Sequence, residues 1–202
     1  MPKERDGGHA KKPRLSKDDW TAAALSALGR GGIAAVAVEP LAARLGATKG
    51  SAYWHFPNRE ALLRATLERW EQEHTEAVIT AVEAESDPER RLRALFHAVL
   101  SHVRRDAVEL ALLSSADDPL VGPVLERVTE RRMSYLAKMF ADLGFSRAEA
   151  RRRASIAYTT YLGHTYLALT SPQRLPKSRA AMDSYIDNLA VILTTSTTSS
   201  TT

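Results

Sequence analysis

Apolar residues recur three and four positions apart along most of the chain, the spacing that lines one face of a helix rather than one side of a strand. The first stripe, Trp20, Ala23, Ala24, Ala27 and Leu28, opens at Ser16, whose hydroxyl can cap a helix while Asp19 reaches back as in a capping box. Gly29-Arg30-Gly31-Gly32 ends it, and Ile33 and Val36 are placed to pack under the second and third helices. Leu41 and Leu45 share one face of a short second helix, with Ala42 small enough for another helix to cross close above it. Gly46 stops that helix where a left-handed backbone carries least strain, and Thr48 can cap a third helix running to about His55. Pro57 then forbids extension, and Asn58 can cap the next start.

From Asn58 the periodicity of Leu62, Leu63, Leu67, Trp70, His74, Val78 and Val82 predicts one long helix to about Ala84. Asp87-Pro88-Glu89 opens another, carrying Leu92, Leu95, Phe96, Val99, Leu100 and Val103 and ending near Arg105. A shorter helix covers about Ala107 to Ser115, and Asp117-Asp118-Pro119 breaks the chain before a long helix to Leu143. Gly144-Phe145-Ser146 is a further stop and cap, leading into a helix to about Thr170. Ser171 to Pro176 separates it from a last helix of about Lys177 to Leu193, and Thr194 onward holds only Thr and Ser, which reads as a solvated tail. The fold class is therefore all-α, with about nine helices.

Residues 41–56 join two short helices by a tight turn, which fits a helix-turn-helix. The longer run Leu41-Ala42, Leu45-Gly46-Ala47-Thr48-Lys49-Gly50-Ser51, Tyr53-Trp54-His55-Phe56, Asn58-Arg59 and Leu62 resembles the DNA-binding domain of the TetR family of bacterial transcriptional regulators. Its specific part is the Tyr-x-His-Phe-x-Asn-basic sequence. The resemblance covers residues 16–65 closely and the remainder in helix count and length. It departs from the family pattern at the start of the second helix, where Ala37 replaces the usual Thr or Ser cap and Glu39 is expected to repel a nearby phosphate.

Composition narrows the class further. The chain of 202 residues is 44% apolar with no long uncharged apolar run, so no segment is expected to span a membrane. No apolar stretch comes after the basic N-terminus, and cysteine is absent, which excludes disulfides and thiolate metal sites and suits the cytoplasm. Net charge is +4, and all of it falls in residues 1–60, which carry ten Lys/Arg against six Asp/Glu, as a phosphate-facing surface requires. The expected organisation is a basic arm over 1–14, a helix-turn-helix domain over 15–64, a ligand-binding and dimerisation domain over 65–193, and a disordered tail over 194–202.

Lys49, Gly50 and Ser51 occupy the N-terminal turn of the third helix, where Lys can bond guanine and Ser either base edge, while Gly50 admits close backbone approach. The resemblance implies phosphate contacts for Tyr53 and Arg59. Thr48 can add one, and His55 is a further candidate, although Trp54, His55 and Phe56 read first as wedges between the first, third and fourth helices. The resemblance also implies an effector cavity, with candidate walls Leu92, Phe96, Val99, Leu113, Leu125, Met133 and Tyr161. An apolar stripe is by default core packing, so the residues alone do not separate wall from core. The last two helices resemble the family's dimer interface, through Ile156, Tyr161, Gly163, His164 and Leu167 on one and Met182, Tyr185, Ile186 and Leu189 on the other.

The function expected is a homodimeric regulator, a repressor, that binds a palindromic operator in double-stranded DNA and is released by an unidentified small molecule. No cofactor is expected. His97 and His102 lie five apart, off a common helical face, so no metal pair is expected, and no phosphate loop, nucleophile elbow or paired carboxylates argue for an enzyme. A constitutive DNA-binding dimer without an effector, and more remotely a small helical enzyme or carrier, are the alternatives.

Overall fold

The computed structural model describes residues 14–101 and 107–195. Among them the helices are α1 (Lys17–Gly31), α2 (Val38–Leu45), α3 (Lys49–His55), α4 (Arg59–Glu71), α5 (Ala77–Glu83), α6 (Pro88–Leu100), α7 (Ala107–Leu113), α8 (Gly122–Asp142), α9 (Arg147–Thr170) and α10 (Arg179–Thr194). A π turn over Gln72–Glu76 joins α4 to α5 without a break, so the two form the single long helix that the periodicity predicts. No strand occurs among the described residues.

Caps explain most of the boundaries. Ser16 Oγ accepts the Asp19 N–H at 3.1 Å, and the Asp19 carboxylate accepts the Ser16 hydroxyl at 2.7 Å and its N–H at 2.8 Å. These bonds from Ser16, the side-chain one foremost, hold the Asp19 carboxyl below its ordinary pKa. Thr48, Asn58, Asp87, Ser146 and Ser178 each accept a backbone N–H three residues ahead, whereas α2 starts at Ala37 without a side-chain cap. Gly46 closes α2 at φ 62 and ψ 36. Its own N–H reaches the Ala43 carbonyl at 3.2 Å, and the Ala47 N–H reaches that of Ala42 at 2.9 Å.

Two apolar clusters form the interior. The first gathers Trp20, Leu28, Leu41, Leu62, Leu63 and Trp70 from α1–α4 and continues into the body through Val108 and Leu112 of α7 and Val128 of α8. Gly29 permits that continuation, since a Cβ there would lie 3.1 Å from the Val108 side chain. The second joins α5, α6, α8, α9 and α10 around Ile79, Phe96, Phe140, Tyr158 and Ile186. Between them α8 grips the α4–α5 rod by charge: Arg127 holds Glu71 at 3.0 and 2.5 Å, and Arg131 holds Glu76 at 2.9 and 3.0 Å, both as two-pronged pairs.

Two boundaries differ from the sequence expectation. Helix α6 ends at Leu100 rather than near Arg105; Val103 and His102 lie outside the described residues, as do the basic arm over 1–13 and the tail over 196–202. At the other end, Thr194 belongs to α10, and the chain is held there by Arg153. That side chain, buried between α9 and α10, donates to the Leu193 carbonyl and, at 2.9 Å, to that of Thr195. The last carbonyls of a helix lack partners within it, and the Arg153 guanidinium supplies them.

The turn before α8 leaves no room at Gly122, where a Cβ would sit 2.6 Å from the Ala116 carbonyl oxygen. Gly122→Ala is expected to lower unfolding stability by about 1–3 kcal/mol in urea titration, because a backbone atom has to move.

Candidate functional site

Helix α3 divides cleanly between an inner and an outer side. Ala52 and Phe56, four residues apart, are buried at 0% and 2% exposure against α1, α2 and α4. Residues near 200° from Ala52 on the helical wheel must point away, so Trp54 stands out at 65% exposure rather than wedging between helices as expected. Tyr53 is 52% exposed, and Thr48, Lys49 and Gly50 are exposed with them, whereas Ser51 and His55 are half-buried. The Arg14 guanidinium lies 3.6 Å over the Trp54 ring, which carries the positive face onward from α3 to the chain entering α1.

Several candidate side chains already have partners. His55 Nε2 donates to the Leu15 carbonyl at 2.8 Å, fixing the approach to α1. Arg59 donates through Nε to the Val36 carbonyl at 2.8 Å and through Nη2 to that of Ile33 at 2.6 Å. It therefore ties the start of α4 to the turn ahead of α2, a positioning task that the phosphate expectation did not include. Lys49 is paired with Glu39, across from α3 to α2, so Glu39 answers a cation of its own chain. At Gly50 a Cβ would meet nothing nearer than Thr48 Oγ1 at 3.8 Å, so the fold itself does not demand glycine there.

In the body, a cavity of about 60 Å³ lies among the π turn and α5, α6, α8, α9 and α10. Its apolar walls include Val78, Ile79, Phe96, Val99 and Leu136, and its polar part is made by His74, Thr75, Arg132 and the tyrosines 135, 158 and 161. Of the wall residues expected, Phe96, Val99 and Tyr161 are there. The others are not: Leu92 is core, Leu125 belongs to the cluster under α1, Leu113 is exposed, and Met133 faces a surface groove between α8 and α9. The reason is helical phase, since neighbours in sequence on α7 and α8 serve two different clusters.

The residue that sequence reasoning missed is Arg132. Its Nε donates to Thr75 Oγ1 at 2.9 Å, Nη2 to the His74 carbonyl at 3.2 Å, and Nη1 to Glu109 Oε1 at 2.8 Å. Burial works against its charge, but the fields of Glu109 and Tyr161 outweigh that, and the guanidinium is held more firmly protonated than a free one. The signal was present: Arg132 sits four residues from both Val128 and Leu136, on the buried stripe of α8.

The outer side of the α9–α10 pair is apolar and uncovered, with Ile156, Tyr166, Leu169, Val191 and Ile192 exposed at 44–71%. Gly163 lies on it, with no atom within 4 Å of where a Cβ would be. Ile156 and Gly163 thus face outward. His164 and Ile186 do not: at 3% and 0% exposure they pack inside the subunit, and Met182, Tyr185 and Leu189 are half-buried against the same core. Leu167 is half-buried. Burial lowers the His164 pKa, against the opposing pull of the Leu100 carbonyl.

A three-helix unit with this turn is a helix-turn-helix domain, joined through one rod to a helical body. Residues 21–66 match the family model of bacterial regulatory proteins, tetR family. Solved structures agree over the whole fold. A transcriptional regulator from Rhodococcus sp. Rha1 superposes with a TM-score of 0.73 at 22% identity, covering 89% of this chain and 96% of that one. A TetR-family regulator from Agrobacterium tumefaciens gives 0.70 at 20% identity, over 86% and 95%. The fatty acid degradation regulator FadR from Bacillus halodurans gives 0.68 at 14% identity, over 93% and 98%. No curated protein matches the chain. Residues 21–66 thus carry the tetR-family DNA-binding domain, and the whole chain shares the fold of these regulators.

Because Arg59 holds two carbonyls of the turn before α2, Arg59→Ala is expected to cost about 1–3 kcal/mol of unfolding stability. Urea titration checks it; a phosphate-only role predicts an unchanged midpoint.

Proposed function

We propose that the chain is a homodimeric repressor that binds a roughly palindromic operator through α3 and leaves it when a small molecule occupies the body cavity. The observation that carries the DNA-binding part is the outer side of α3, where Thr48, Lys49, Gly50, Tyr53 and Trp54 are presented together while Ala52 and Phe56 anchor the helix. Lys49, Gly50 and Ser51, in the first turn, are assigned to base edges, and Thr48 and Tyr53 to phosphates. His55 and Arg59 set the angle at which α3 is offered. Lys49 exchanges Glu39 for DNA, an exposed pair of this kind being worth only about 0–1 kcal/mol.

Pairing of two subunits through the uncovered apolar side of α9 and α10 accounts for that surface, with Ile156, Gly163, Tyr166, Val191 and Ile192 at its centre. Two α3 helices then sit about 34–36 Å or a multiple apart, to enter successive major grooves. The cavity is small beside the roughly 300–1,000 Å³ of ordinary ligand sites, so an effector has to widen it. A ligand that binds the widened arrangement better shifts the population toward it, and the spacing of the α3 helices changes with the rods that carry them.

The test is selection of bound sequences from random DNA by the purified protein, followed by anisotropy titration over salt. Tyr53→Phe is expected to weaken binding to all sequences by the same factor without altering the preferred bases. Lys49→Ala is expected to change which bases are selected. Failure to retard any selected or promoter fragment at low salt contradicts the reading.

A further inference from the structure

Neither DNA binding nor subunit pairing explains why an ion pair is buried beside the body cavity. Arg132 and Glu109 are 11% and 1% exposed at their side chains, with Nη1 and Oε1 2.8 Å apart. Taking two charges out of water costs several kcal/mol for each, and an apolar pair of similar volume often serves stability as well or better. The pair is balanced one charge to one, and it stands where the cavity is polar, with Thr75 Oγ1 on the Arg132 Nε and the Tyr158 hydroxyl 3.3 Å from Thr129 Oγ1. Glu109 Oε2 is buried and without a hydrogen-bond partner, so among the described residues Arg132 is the counter-charge on which Glu109 relies.

We propose that the cavity takes an uncharged, largely apolar molecule with one hydrogen-bonding head group, an alcohol, ketone or amide, set against Arg132 and Thr75. It rejects the carboxylate of the same skeleton. This rests on the ligand-released reading above and names the class of the ligand. A carboxylate drawn to Arg132 would share one cation with Glu109, leaving a buried negative charge uncompensated. A neutral oxygen accepts from the guanidinium without displacing Glu109, and the rest of the molecule lies against Val78, Ile79, Phe96, Val99 and the Tyr158–Tyr161 stack, whose ring centroids are 6.0 Å apart.

Because Arg132 also holds Thr75 and the His74 carbonyl, a head group seated there pulls on the π turn of the rod that reaches the DNA-binding unit. Arg132 thus acts as a positioning residue for that turn as well as a contact for the ligand.

The probes are hexan-1-ol and hexanoate, titrated calorimetrically near neutral pH into the full-length protein and then into its complex with a selected operator. Hexan-1-ol is expected to bind at least about tenfold more tightly than hexanoate, a difference of about 1.4 kcal/mol, and to weaken operator binding. Glu109→Gln frees Arg132 and is expected to bring hexanoate level with the alcohol or ahead of it. Should that variant not fold, hexanoate affinity in the natural protein is expected to rise as pH falls towards about 4–5, where the probe itself takes up a proton. Hexanoate binding as tightly as the alcohol near neutral pH overturns the ligand class, and if it also releases DNA the ligand-released reading stands. Should neither probe bind, the ligand class is overturned; preferential binding of the alcohol without effect on DNA overturns the ligand-released reading while the ligand class stands.

Discussion

One guanidinium holds the two halves of this protein in register. Arg132 reaches from α8 across to Glu109 on α7 and to Thr75 and the His74 carbonyl in the π turn. Helix α7 packs on α1 through Val108 beside Gly29, and the π turn is continuous with α4. Both elements that carry the DNA-binding unit therefore meet at the same buried charge. An extra residue in a helical turn is retained where its backbone groups find partners, and here a carbonyl of the π turn is paired with Arg132 rather than left to the helix alone. Arg127 and Arg131, on the same helix, add pairs to Glu71 and Glu76 on either side of it. Their arginines are solvent-exposed and their glutamates half-buried, so these pairs contribute geometry more than energy.

The arrangement gives one rod two duties. At its start, Arg59 binds the turn before α2, so the angle of the helix-turn-helix is tied to the angle of α4. At its far end, Ile79 and Val82 are embedded in the second cluster beside the cavity. Packed interiors yield between discrete arrangements rather than bending smoothly, so under the proposed function a molecule prying the cavity open would act along the rod instead of being absorbed locally.

Much of the fold was legible in sequence because its boundaries are written in caps and breakers: Ser16 with Asp19, Gly46, Thr48, Asn58, Asp87 and Ser146 act within a few residues of themselves. The helix-turn-helix was legible for the same reason. What escaped is long-range. Trp54 reads as a wedge until the burial of Ala52 and Phe56 fixes the phase of a seven-residue helix. Leu92, Leu113, Leu125 and Met133 share composition with true cavity residues, and only the crossing of helices from distant parts of the chain tells them apart. Arg132, Glu109 and Arg153 went unread as well, although each is a charge on an apolar stripe; the partners of Arg132 lie 23 to 58 positions away, and Arg153 reaches the Leu193 carbonyl 40 positions on.

With no cysteine in the chain, a single Cys at exposed Arg64 on α4 gives each chain one spin label. The distance distribution between the two labels in the proposed dimer, measured by pulsed electron resonance, reports how firmly the rods are set. Arg132→Met is expected to broaden that distribution or displace its maximum while leaving the helical content unchanged. A distribution identical to that of the natural protein would show that the rods take their position from something other than this buried charge.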